Sequence, residues 1–146
     1  MRSLRIALLV TAVFATGYGA GRIGTPVVAT AEAAKPARVF ELRTYTTPEG
    51  KLDALNTRFR DHTVRIFKRH GMTSVGYWLP QDSALAGHTL VYILAHPSRE
   101  AAARNWAAFR ADPEWQKVAK ESEANGRIVS KTTSVYMDPA DYSAIR

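Results

Sequence analysis

The chain has 146 residues, of which 20 are basic and 13 acidic, giving a net charge of +7, and it contains no cysteine. This length suits a single domain, and the absence of cysteine excludes a disulfide scaffold and a thiolate metal site. Three of the arginines lie within the first 31 residues, and without them 17 basic residues face the 13 acidic ones, a net charge of +4. The remaining chain is therefore mildly cationic, so we expect no nucleic acid as a partner.

The N-terminus has the three parts of a secretory signal peptide. Two arginines precede an apolar run that starts at Ile6, and the Ala-x-Ala sites that follow end at Ala31 and Ala33. We therefore predict a signal peptide over residues 1–31, cleaved near Ala31 or Ala33, and a periplasmic or secreted protein. A flexible lead over residues 32–38 follows it. An uncleaved membrane anchor is the alternative, but the apolar run is shorter than the roughly 20 residues that a membrane span needs.

The first strand is predicted over Val39–Thr46, because two kinds of side chain alternate along it. The two sets are Phe40, Leu42 and Thr44 on one face, and Glu41, Arg43 and Tyr45 on the other. One face of the predicted sheet is thus apolar here, and the other carries an acid, a base and a phenol within reach of one another.

An amphipathic helix is predicted next, from about Pro48 to Arg69, with Gly71 as its stop. The helical period of 3.6 residues gives a side facing the sheet that consists of Leu52, Leu55, Phe59, Thr63, Ile66 and His70. The basic residues of this helix are interpreted as a solvated face: Arg58, Arg65, Lys68 and Arg69. A phosphate-reading stripe is the less favoured interpretation.

Two strands follow, predicted over Met72–Leu79 and His88–His96. The second of them is apolar at every position from Leu90 to Ala95. Continuous apolarity indicates a strand that is covered on both faces. Two helices cover only one face of a four-stranded sheet, so the other face needs a different cover.

The last part of the chain predicts a broken helix and a fourth strand. Ser98 is the expected N-cap, and Asp112-Pro113 restarts the helix, which ends near Asn125-Gly126. The inward side is expected to hold Ala101, Ala102, Asn105, Trp106, Ala108 and Phe109. The strand is predicted over Arg127–Met137, the domain over residues 39–142 and a short tail over 143–146.

The predicted order, β-α-β-β-α-β, is that of a ferredoxin-like α+β unit, with two helices on one face of a four-stranded antiparallel sheet. The second face is expected to carry Tyr45, Tyr77 or Trp78, and Tyr92, and to be too apolar to remain in water. Pairing two such sheets is the simplest cover. We therefore predict a homodimer that forms an eight-stranded dimeric α+β barrel.

Several ordered motifs of this chain resemble the NIPSNAP family over about residues 39–142. These motifs are VFELRTYTTPEGKLDAL, FRDHTVRIFKRHGM, VGYW, LVYILAHPSREAAARNWAAFRADPEW and ESEANGRIVSKTTSVYMDP. The resemblance implies a dimeric α+β barrel. Its eukaryotic members are mitochondrial proteins that interact with other proteins, from which the signal peptide predicted here departs. The resemblance supplies no catalytic motif.

The predicted cleft between helices and sheet is the first candidate site, since dimeric α+β barrels hold small aromatic or quinone-like substrates there (an analogy of fold). In an enzyme, His62 would act as a general base and Asn105 would stabilise an oxyanion. Asn56 and Trp106 would bind the ligand, with the indole stacking on a flat ring. In the structural alternative, which we favour, these polar groups bond to backbone or water at the edge of the core.

The row of polar residues on the first strand poses the same choice. Arg43 and Tyr45, with Glu41, would bind a carboxylate ligand, or they would form a structural ion pair, the interpretation that we favour. The four histidines show no metal-binding spacing, so we predict no metal and no cofactor. The leading hypothesis is a homodimer that binds a small apolar or aromatic ligand or a protein partner. The alternative is a cofactor-free enzyme of monooxygenase or isomerase type.

Overall fold

The computed structural model describes residues 38–82 and 84–146. The predicted signal peptide and nearly all of the predicted lead lie outside these residues. The described strands are β1 (Val39–Thr46), β2 (Thr73–Trp78), β3 (Thr89–His96) and β4 (Lys131–Met137). The helices are α1 (Leu52–Arg58), a π-helical turn (Phe59–Thr63), α2 (Val64–Arg69), α3 (Arg99–Ala111) and α4 (Pro113–Ser122).

The four strands form one antiparallel sheet in the order β2-β3-β1-β4. Leu42 in the middle of β1 pairs with Ile93 of β3 on one side and with Val135 of β4 on the other. The predicted succession of elements and the ferredoxin-like unit are confirmed. The predicted fourth strand is too long at its start, because residues 127–130 precede the first ladder pair at Lys131.

Aromatic rings fill the space between the helices and the sheet. Tyr92 of β3 is fully buried, and its ring lies 5.2 Å from Phe59 and 5.3 Å from Tyr45, both edge-on. Phe67 contacts Trp106 at 5.3 Å between ring centroids. Edge-to-face pairs at these distances stabilise a core beyond the area that they bury.

The first helical segment departs from a regular helix at its π turn, where the amide of Val64 donates to the carbonyl of Phe59. Such a turn inserts one extra residue, so the side chains after it are rotated by about 100° relative to a regular helix. The rotation brings Phe67, which the regular period leaves outside the apolar stripe, into the core at 1% exposure.

Arg58 is not on the solvent side, and that prediction is wrong. Its side chain is 5% exposed, because α4 packs over the end of α1 and the guanidinium Nη1 donates to Ser122 Oγ at 3.3 Å. Two exposed basic residues of this segment pair with the start of α4: Arg65 bonds Glu114, and Arg69 donates to the N-cap Asp112 at 2.6 Å.

Both parts of the broken helix begin at the predicted caps. Ser98 Oγ accepts from the amide of Ala101 at 3.1 Å, and Asp112 Oδ1 accepts from the amide of Glu114 at 2.8 Å. Both caps satisfy amides that have no partner within the helix. Ala108 of α3 is exposed, which corrects its predicted inward position.

The face of the sheet opposite the helices, called here the open face, is apolar as predicted, and Trp78, one of the two predicted alternatives on β2, lies on it. Tyr45, Tyr77 and Tyr92 lie on the helix side, where Tyr77 stacks on Tyr92 at 5.5 Å, so their predicted place is wrong. The pairing register and strand alternation put on the open face Phe40, Leu42, Val75, Trp78, Val91, Ile93, Val135 and Met137. Trp78 is 49% exposed there and Val135 55%.

Replacing Gly71 by alanine is expected to destabilise the turn between α2 and β2 by about 1–2 kcal/mol. Gly71 has φ +71°, and an added Cβ would lie 3.3 Å from Asn105 Nδ2. Gly87 also has a positive φ, +76°, but nothing lies within 4 Å of its added Cβ, so Gly87→Ala isolates the backbone term. Urea unfolding of both variants measures the difference, and an equal or larger loss for Gly87→Ala would contradict the packing role of Asn105.

No helix within the described part of the chain is long and apolar enough to cross a membrane.

Candidate functional site

Glu41 is the centre of a buried polar cluster between the sheet and α3. Its side chain is 1% exposed. Oε1 accepts from Arg43 Nη1 at 2.6 Å and from Ser134 Oγ at 2.6 Å. Oε2 accepts from Trp106 Nε1 at 2.7 Å and from His96 Nε2 at 3.1 Å. Three strands and a helix thus meet at one carboxylate.

The hydrogen bonds keep this carboxylate ionised. Burial by itself raises the pKa of Glu41, but the bonds from His96, Ser134, Trp106 and Arg43 outweigh it and lower the pKa to about 2. The other ring nitrogen of His96, Nδ1, is buried without a hydrogen-bond partner within the described residues.

Arg43 connects the carboxylate to the aromatic rings. Its guanidinium lies 4.2 Å from the centroid of the Trp106 ring and 5.5 Å from that of Tyr45. Burial alone lowers the pKa of Arg43, but Tyr45, Tyr92 and Glu41 raise it above its ordinary value. Arg43 is therefore a permanent cation, and one face of the Trp106 indole is already occupied by it.

Two further groups beside this cluster lack hydrogen-bond partners among the described residues. The hydroxyl of Tyr92 is fully buried without one, and burial raises the pKa of this phenol well above its ordinary value. The Nε of Arg58 is also buried without a partner. Burial lowers the pKa of Arg58, and the charges of Glu123 and Tyr45 offset this only in part.

The predicted site residues fall into two groups. Arg43, Tyr45 and Trp106 come together around Glu41. His62 and Asn105 do not share a space. His62 lines a surface cavity between α1 and α4, whereas Asn105 Nδ2 donates to the Gly71 carbonyl at 3.3 Å.

Asn56 is half-buried on α1 and takes part neither in the cluster around Glu41 nor in the hydrogen bond between Asn105 and Gly71. His96 and Ser134 belong to the cluster but were not predicted as site residues. The strand period puts His96 on the same face as Leu94 and Tyr92, but only the register of β1 with β3 and β4 shows which residues meet Glu41. Within residues 38–82 and 84–146, no three side chains of ligating type gather as a metal site would need.

The C-terminal tail forms a second feature, on the open face. It lies over the end of the sheet that holds Phe40 and forms with it an open cavity of about 360 Å³. The walls are mainly apolar, consisting of Phe40, Val75, Ile93 and Met137 from the sheet and Pro139, Ala140, Tyr142 and Ile145 from the tail. Arg38 holds the chain end in place by donating to the carbonyl of Arg146 at 2.9 Å.

The fold defines a ferredoxin-like α+β protein, with helices on one face of a four-stranded antiparallel sheet. The family model of NIPSNAP matches residues 40–144, and the chain belongs to the NIPSNAP family. No curated protein matches the chain.

Solved structures share the fold. A NIPSNAP family protein of unknown function from Agrobacterium tumefaciens has a TM-score of 0.66 at 24% identity, over 76% of this chain and 96% of that one. An uncharacterised NIPSNAP-like domain protein from Burkholderia xenovorans has a TM-score of 0.64 at 18% identity, over 75% and 90%. A monooxygenase from the gene ActVA-Orf6 of Streptomyces coelicolor, in complex with Nanaomycin D, has a TM-score of 0.53 at 15% identity, over 74% and 92%.

Proposed function

We propose that the protein is an exported homodimer that binds a small apolar or aromatic molecule between its sheet and its C-terminal tail. The observation that carries the proposal is the apolar open face, one end of which the tail covers above the cavity of about 360 Å³. This volume lies within the range of small-molecule sites, which are also mostly apolar. Export rests on the N-terminal sequence alone.

The rest of the open face supports the dimer. The tail covers the end near Phe40, whereas Trp78 and Val135 keep 49% and 55% of their surface exposed. Contiguous apolar surface of this kind is usually covered by a partner, and a second copy brings a face of the same shape and chemistry. The cavity would then lie at the edge of the contact between the two copies.

A cofactor-free enzyme is the second proposal, favoured by the fold shared with the monooxygenase. It has less support, because the proposed base His62 and the proposed oxyanion donor Asn105 do not line one space. The polar cluster around Glu41 does not supply another base, because its carboxylate already accepts hydrogen bonds from Arg43 and Trp106.

Native mass spectrometry of the full chain tests the leading proposal. We expect a dimer that carries a retained small molecule, and Val75→Phe, which adds a ring to the cavity wall, is expected to lose it. Thr132→Phe is the matched control, because Thr132 is exposed on the opposite face of β4 and does not line the cavity. Retention that is equal in both variants would contradict the site, and dimers without any retained mass would favour a protein partner.

A further inference from the structure

Arg58 is a buried cation with only long hydrogen bonds to its neighbours. Both hydrogen bonds of its guanidinium to described residues use Nη1, and they are long: 3.3 Å to Ser122 Oγ and 3.5 Å to Glu123 Oε1. Glu123 is itself 38% exposed, so its charge is screened by solvent. The Nε of this guanidinium is buried without a hydrogen-bond partner in the described chain, and the guanidinium carbon lies 5.2 Å from the centroid of the Trp115 ring.

Arg43 is a second buried arginine, and its Nε is also buried without a hydrogen-bond partner among the described residues, but its charge is paired with a buried carboxylate. Arg43 lies 2.6 Å from a buried carboxylate, and its pKa is raised. Arg58 is more deeply buried than Arg43, at 5% exposure against 15%, yet its pKa is lowered by burial. A buried charge is costly unless it is paired and hydrogen-bonded, so the surroundings of Arg58 are short of negative charge.

A cavity of about 310 Å³ lies next to this cation, between α1 and α4. Thr57, His62 and Ser122 border it with polar groups, and Ala54 and Val118 add apolar wall. Such a mixture suits a small molecule with an apolar body and a polar end.

We infer that this cavity binds the carboxylate of a small organic acid, with Arg58 as the anchor and His62 as a second contact. The planar edge of a guanidinium matches the two oxygens of a carboxylate, which favours this anion over a single-point contact. Because Nε is shielded from solvent, full two-oxygen pairing requires a small rotation of the arginine side chain. Glu121 also borders the cavity and, being acidic, disfavours ligands with a second negative charge.

The site is separate from the cavity under the tail, and it does not depend on the proposed function. The two cavities share no lining residue: Thr57 borders this cavity, and Val75 borders the cavity under the tail. Thr57 is exposed on α1, so a larger side chain there is expected to fill the cavity without disturbing the core.

Titration calorimetry of the full chain with benzoate tests the inference. We expect benzoate to bind, and benzamide, its neutral counterpart, to bind at least about tenfold more weakly because it lacks the charge that Arg58 pairs with. Thr57→Phe is expected to weaken benzoate binding by about tenfold or more, whereas Val75→Phe and the exposed control Thr132→Phe leave it unchanged.

Four results would overturn the inference. Equal affinity for benzoate and benzamide would show that no cation recognises the ligand. Unchanged binding by Thr57→Phe, or loss of binding by Val75→Phe, would place the ligand elsewhere. Displacement of benzoate by an equal concentration of inorganic phosphate would show that the site accepts anions without regard to the carboxylate shape.

Discussion

Glu41→Gln is expected to lower the free energy of unfolding by about 3–5 kcal/mol, the typical cost of removing one member of a buried ion pair. Glutamine keeps the shape of the side chain, but one acceptor oxygen becomes a donor. The four donors that converge on Glu41, from Arg43, Ser134, Trp106 and His96, then face a group that repels some of them. The positive charge of Arg43 also loses its partner inside the protein.

Urea unfolding at neutral pH measures this loss. Glu121→Gln is the matched control, because Glu121 is 64% exposed and its only described ion pair, with Lys117, is long at 3.9 Å. The control is expected to change stability by no more than about 0.5 kcal/mol. A loss of less than about 1 kcal/mol for Glu41→Gln would contradict the central structural role of this carboxylate.

Acid is expected to remove the same stabilisation from the unchanged protein. Glu41 has a folded pKa of about 2 against an ordinary value of 4.5, so between these values the unfolded chain binds more protons than the folded one. The contribution of Glu41 is therefore complete above about pH 4.5 and is lost as the pH falls towards 2. Its full size is about 3 kcal/mol, from the shift of the pKa.

The difference between the unchanged protein and Glu41→Gln isolates this effect. Asp112 and Glu114 also have lowered pKa values, caused first by His70 and Arg65 respectively, so both proteins lose stability in acid. Urea unfolding at several values between pH 2 and 6 is expected to show the gap between the two proteins closing as the pH falls. A constant difference in unfolding free energy over this range would show that Glu41 has the same pKa in the folded and the unfolded chain.

The fold was predictable because its signals are local. Alternation along Val39–Thr46 separates the polar face of β1 from its apolar face, and the caps at Ser98 and Asp112 follow from side chains that bond nearby amides. These signals need no knowledge of distant contacts. Together with the order of the elements, they are enough for a ferredoxin-like unit.

The errors have equally physical causes. Tyr92 lies in a strand that is apolar at every position, so no alternation indicates which face it occupies. Arg58 lies before the π turn, so its burial depends on packing against α4, which is distant in sequence. The partners of Glu41 depend on register between strands that are distant in sequence, which explains why His96 and Ser134 were missed.

The pairing of open faces is the central claim, and light scattering of the full chain in solution tests it most directly. We expect a particle of twice the 16.1 kDa mass of one full chain. Val135→Lys, which places a charge on the open face, is expected to shift the particle towards one chain, whereas Thr132→Lys, on the opposite face of β4, is expected to leave it paired. A folded particle of 16.1 kDa at every concentration measured would contradict the claim.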